Sequence, residues 1–142
     1  NGIDTRVISD SAIFAIMPKV NKVIIGTRAI IANGGLISYN GSFNLCLCAK
    51  TFSIPVLVVG GTFKLTPSYP FGHESANEYL SPDVLCSDEV EYKENINNIT
   101  FNIPAYDYVP PELITIYISN NGSHNPKNIY ITTKNLKFTN FC

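Results

Sequence analysis

The sequence predicts an α/β domain built on a doubly wound, parallel sheet flanked by helices. Three observations carry that expectation. Two short, continuously apolar, β-branched runs, Lys22–Gly26 and Ile54–Gly60, read as strands covered on both faces. Stretches of helical period precede each of them, from Asp10 to Met17 and from Phe43 to Phe52. With Thr5–Ser9 as a short first strand, the order strand, helix, strand, helix, strand is complete.

Taken in order, Thr5–Ser9 offers Val7 and Ile8 as its apolar pair. Asp10 is expected to cap the first helix, its carboxylate accepting from the free amides of the next turn. Ile13, Ile16, Met17 and Val20 fall at i, i+3, i+4 and i+7, a single apolar stripe. Pro18 lacks a backbone donor and should end or kink this helix near Met17. Ile30-Ile31 and Leu36-Ile37 flank Asn33-Gly34-Gly35, where Asn-Gly supplies positive φ at little cost, so a small hairpin is inserted here. Pro55 is tolerable at the first position of the next strand, which Gly60-Gly61-Thr62 ends. From Thr66 to Glu94 periodicity fades, and Pro67, Pro70, Gly72 and Pro82 mark an irregular excursion. Thr100–Ile103 reads as a further strand, Pro110-Pro111-Glu112 as a helix start, and Ile114–Ser119 as a last strand closed by Asn121-Gly122. The stretch from Pro126 to Phe138 fits either a strand or a helical stripe through Ile129, Thr132, Thr133 and Leu136. No repeat or linker divides the 142 residues, so a single domain is expected.

Composition removes several function classes. Charged residues make up 15%, against about 25% in an average soluble domain. A surface so poor in charge suits one partly covered by other protein. The net charge of -1 provides no basic field for nucleic acid or an anionic membrane, and no run of about 18 apolar residues occurs. Cys46 and Cys48, two apart in a helix, point to different faces and suit neither a disulfide nor a shared metal. Adding Cys86, Cys142, His73 and His124 creates no zinc-like spacing, so no metal is expected and the thiols read as those of a reducing compartment. The sequons at Asn40, Asn98 and Asn121 are read as unused.

Ligands of open α/β sheets bind outside the carboxyl ends of the strands, here Ser9-Asp10, Gly26-Thr27-Arg28 and Gly60-Gly61-Thr62. Neither G-x-G-x-x-G nor G-x-x-x-x-G-K-[ST] is present, so a dinucleotide or nucleoside triphosphate lacks its phosphate cradle. Ser11, Ser42 and Ser53 have no G-x-S-x-G context. Arg28 and Lys64 remain as cations that could hold a phosphate, pair with a partner's acid, or stand solvated. The residues thus outline no catalytic site, no metal site and no cofactor, and they point to binding.

Several strings also fit one family: Met17 to Thr27, Ile30 to Gly34, Phe63 to Pro67, Asp107 to Thr115 and Ile118 to Gly122. In that order they resemble the regulatory subunits of eukaryotic translation initiation factor 2B, and among those the beta branch. The resemblance implies that residues 1–142 are a C-terminal Rossmann-like domain with a helix in the ambiguous tail. It further implies that an N-terminal helical domain and the first βα elements precede the counterpart of Gly2, so the chain is expected to be a fragment lacking the N-terminal part of this domain.

The superfamily also contains isomerases of methylthioribose 1-phosphate and ribose 1,5-bisphosphate, which read roughly Gly-Ala-Asp-Arg, Asn-Gly-Asp and Asn-Lys-Ile-Gly-Thr through this stretch. By that resemblance Arg28 stands where their catalytic Asp would be, Gly35 replaces the second Asp, and Ser38-Tyr39-Asn40-Gly41-Ser42 loses the lysine. Arginine holds its proton and has no lone pair to accept one, so it cannot relay protons between sugar carbons. The resemblance therefore implies a non-catalytic, cytoplasmic subunit. It would pair with delta, form a regulatory core with alpha, and act with gamma and epsilon on initiation factor 2, whose alpha-subunit phosphorylation that core senses. Arg6, Ile8, Arg28, Asn33 and Gly34 are the expected partner interface or vestigial pocket. The alternatives are an isomerase, or a sensor that binds a sugar phosphate or nucleotide without turnover.

Overall fold

A computed structural model describes residues 2–68, 77–84, 100–129 and 131. A 3-10 turn at Asp10–Ala12 leads into α1 (Ile13–Ile16), and a second turn, Met17–Lys19, carries Pro18 in its first positions. Then come β1 (Val23–Gly26), β2 (Ala29–Ile30), β3 (Leu36–Tyr39), α2 (Ser42–Thr51) and β4 (Val56–Val59). The described remainder contributes β5 (Tyr106–Val109), β6 (Ile116–Ser119) and β7 (Gly122–His124). Proline thus converts the helix to a 3-10 turn at Met17, where its missing donor predicts.

The strands form two sheets. The first has the order β1-β4-β6-β7, with β1, β4 and β6 parallel and β7 folded back antiparallel on β6. The second is antiparallel, β2-β3-β5, with Leu36 opposite Val109 and Tyr39 opposite Tyr106. Side chains alternate along each strand, so Val23, Val56, Val58 and Tyr117 share one face of the first sheet. They pack there with Met17 and with Cys46 and Ala49 of α2. The predicted stripe holds: Met17 is buried, while Ile13, Ile16 and Val20 are half-buried beside it. Helix α2 meets β1, β5, α1 and the 3-10 turn at Pro111–Leu113, which is why Cys46 and Cys48 are both buried despite their different directions.

Burial, and secondarily the charge of Asp107, raises the Cys46 thiol from 9.0 to about 11. Folding therefore favours the protonated thiol. Its contribution to stability is full below the unfolded value and is lost as pH rises through about 11. At pH 8 the folded protein should alkylate at Cys46 about tenfold or more slowly than the unfolded chain. Equal rates in a mass-resolved iodoacetamide time course would show the thiol to be open.

Several expectations are corrected. Residues 5–9 form no strand; the segment is exposed and precedes the first turn. Asp10 lies inside that turn, and Ser9 holds the cap position without a side-chain capping bond to the turn's amides. The apolar runs are not covered on both faces: Ile24, Val59 and Ile118 stay exposed among the described residues, Ile24 by 67%. Residues 100–103 are not a strand; the strand lies at Tyr106–Val109, where β3 provides a pairing edge. Pro110-Pro111-Glu112 opens only a 3-10 turn. Asn121-Gly122 does not close the sheet but turns it into β7. Most of the ambiguous tail, with Cys86 and Cys142, falls outside the described residues.

Candidate functional site

The carboxyl ends of β1, β4 and β6 bring together Thr27, Arg28, Gly60 to Lys64 and Asn120. In an open α/β sheet this is where a ligand would sit. Here its donors meet other parts of the same chain. Lys64 Nζ donates to the Thr27 carbonyl at 2.5 Å. The Thr62 amide donates to Asn120 Oδ1 at 2.9 Å, and the Gly60 amide to the Ile118 carbonyl at 3.0 Å. The Thr27 hydroxyl lies 2.8 Å from the Ala29 carbonyl and 3.1 Å from that of Ile37. Its methyl fills the space where a Cβ on Gly60 would stand, 2.8 Å away. Three strand ends are stitched to one another, and the Gly60 and Thr62 amides are already engaged.

The second sheet continues the pattern through β5. Tyr106 lies under Arg28, whose guanidinium carbon is 4.3 Å from the ring centroid and whose Nη1 donates to the phenol oxygen. Arg28 Nη2 also pairs with Glu78 Oε1 at 3.2 Å. Asp107 reaches the start of α2, where its Oδ2 accepts from the amides of Gly41 (2.8 Å) and Phe43 (3.0 Å). Gly41 holds the cap position at φ +93°, a conformation glycine adopts without a Cβ penalty. The positive end of α2 is thereby satisfied by a carboxylate from the same chain. Asp107→Ala should lower stability by about 1–3 kcal/mol, and Asp107→Asn by less, in urea unfolding. An unchanged midpoint in the alanine variant would show that the cap carries no weight.

Tyr108 completes the closure. Its hydroxyl accepts from Asn33 Nδ2 at 2.8 Å, while Asn33 Oδ1 accepts from the Gly35 amide at 2.9 Å. The ring lies against the bare α-carbon of Gly35, where a Cβ would come within 2.5 Å of Cε2. A shallow cleft of about 250 Å³ remains between β5 and α2, lined by Phe43, Asn44, Asn77, Tyr106, Asp107 and Tyr108. Among the described residues no group of three or more His, Cys, Asp or Glu could hold a metal.

Of the residues singled out from sequence, Arg28, Asn33 and Gly34 gather around the second sheet. Gly34 is buried, its carbonyl accepting from the Tyr117 hydroxyl at 2.7 Å. Arg6 and Ile8 stand on the exposed segment before α1, where Arg6 pairs with Asp4 at 3.5 Å. Tyr106, Asp107, Tyr108, Tyr117, Asn77 and Glu78 join the group around the second sheet without any site motif in the sequence to single them out. The signals over β5 are the period-2 run Tyr-Asp-Tyr-Val and the family-like string that begins at Asp107.

The model of the initiation factor 2 subunit family matches residues 1–126. Translation initiation factor eIF2B subunit beta of Dictyostelium discoideum is 46% identical over 129 residues, which are 90% of this chain and 32% of that protein. The crystal structure of eIF2B beta from Chaetomium thermophilum superposes with a TM-score of 0.60 at 26% identity, covering 88% of this chain and 32% of that one. A 5-methylthioribose 1-phosphate isomerase from Pyrococcus horikoshii shares the fold, with a TM-score of 0.80 at 24% identity over 98% of this chain and 39% of that one. The chain spans about a third of the length of the beta subunits it matches. Matched along most of its length, the chain belongs to the initiation factor 2 subunit family.

Proposed function

We propose that this chain is the C-terminal Rossmann-like domain of a non-catalytic regulatory subunit, of the beta type, in the cytoplasmic guanine-nucleotide exchange factor for initiation factor 2. The closure of the strand-end crevice by the chain's own side chains carries this reading. Arg28, Lys64, Asn33 and the amides before α2 are the groups an anionic substrate would use, and each already has an internal partner. The similarity to eIF2B beta subunits supports the same conclusion from a separate direction. In this reading the domain serves assembly with delta and alpha, in a complex completed by gamma and epsilon that responds to phosphorylated initiation factor 2. Its contact surface includes the outer face of the second sheet, where Tyr39 is 75% exposed and stacks on Tyr106 at 5.8 Å. Tyrosine and arginine are enriched where interfaces concentrate their binding energy.

Affinity isolation of the full-length protein from its own cells tests the proposal. Recovery with four other exchange-factor subunits in comparable amounts is expected. Recovery as a lone homodimer would contradict it.

A further inference from the structure

Segment 77–80 lies along residues 103–105, which lead into β5. The Ala105 amide donates to the Glu78 carbonyl and the Leu80 amide to the Ile103 carbonyl, each at 2.8 Å, and Tyr79 bridges antiparallel to Pro104. Asn77 continues the register with its side chain. Its Nδ2 donates to the Tyr106 carbonyl at 2.5 Å, and its Oδ1 accepts from the Tyr106 amide at 3.0 Å. The strap thus pairs with the chain entering β5 and covers the backbone groups of its first residue, Tyr106.

We propose that Arg28 is the latch of this strap, a positioning residue that acts through Tyr106 and Glu78. One planar cation ties three pieces of chain that are distant in sequence. It stands in the β1–β2 connection, lies over the Tyr106 ring of β5, and pairs with Glu78 on the strap. Its amide donates to the Ile37 carbonyl at 2.8 Å, which fixes the base of the side chain against β3. A lysine could meet Glu78 but could not stack and fork at once. Because Tyr106 also carries Tyr39, the latch sets the exposed aromatic pair; this consequence rests on the subunit reading, whereas the latch itself does not.

Hydrogen exchange read by mass spectrometry on the full-length protein in its complex tests the latch. Arg28→Ala should speed exchange about tenfold or more in peptides covering 77–84 and 103–109, while peptides over β1 and β4 keep their rates. Arg28→Lys should restore less than half of the protection. Glu78→Gln, which removes only the ion pair, should give a smaller rise in the same peptides. Wild-type exchange in Arg28→Ala overturns the proposal. So does a rise throughout the chain if Glu78→Gln then shows no local rise. Subunit recovery from the same samples separates the two ideas. Loosened peptides with full recovery leave the latch standing and count against the aromatic face as a contact; lost recovery without loosening does the reverse.

Discussion

Tyr117→Ala is expected to destabilise the protein by about 3–5 kcal/mol, enough to unfold a marginal domain. The Tyr117 ring is 1% exposed at the centre of the core, and its truncation would leave a cavity among Val58, Val56, Leu36 and their neighbours. The hydroxyl adds a second cost, because the buried Gly34 carbonyl depends on it at 2.7 Å. Tyr117→Phe isolates that term and should cost about 1–3 kcal/mol. Burial, followed by the proximity of Tyr108 and Cys46, raises the phenol above its ordinary value of 10.0, so it stays a donor at any physiological pH. Urea unfolding should show both midpoints shifted with little change in slope. A phenylalanine variant as stable as the parent would mean that another donor reaches the Gly34 carbonyl.

The second large effect is expected at the turn itself. Gly34 has φ +87°, and a Cβ there would lie 2.2 Å from the carbonyl oxygen of Pro126 and 2.9 Å from its carbon. The left-handed conformation costs a non-glycine residue about 1–2 kcal/mol, and overpacking against backbone adds about 1–3 kcal/mol. Gly34→Ala should therefore lose about 2–5 kcal/mol. Gly122→Ala is its control. That glycine has φ +107° with nothing within 4 Å of a Cβ, so only the conformational cost of about 1–2 kcal/mol applies. Equal losses at the two sites would contradict the packing of the turn under Pro126. Tyr117→Phe and Gly34→Ala probe the same joint, where the hairpin of the second sheet meets β6 of the first and the segment after β7.

The elements legible in the sequence were those with a strong local period. β1, β4, β6, α2 and the β2–β3 hairpin lie where apolar runs, a helical stripe and Asn-Gly placed them. What failed depended on partners distant in the chain. Val7 and Ile8 have strand propensity, but propensity makes a strand only where another strand pairs with it. Tyr106–Val109 reads as half-polar and becomes a strand because β3, more than sixty residues earlier, offers its edge. An apolar run also cannot report whether a helix covers its far face, which is why the exposure of Ile24 was unforeseen.

The site follows the same division. Arg28, Asn33 and Gly34 were legible as a strand end and a turn. Their engagement was not, since Tyr106, Tyr108 and Tyr117 approach them across 75 to 83 residues of sequence. That engagement changes the meaning of Arg28. From sequence it could hold a phosphate, pair with a partner, or stand solvated; in the structure it stacks on Tyr106 and binds Glu78.

The central claim is that this fold's ligand crevice is closed by its own side chains and that the domain serves assembly. Titrating the full-length protein with 5-methylthioribose 1-phosphate, ribose 1,5-bisphosphate and inorganic phosphate while following its melting temperature tests that claim most directly. No saturable shift is predicted for any of the three. A saturable rise of several degrees, which a ligand well above its Kd would produce, would contradict the account.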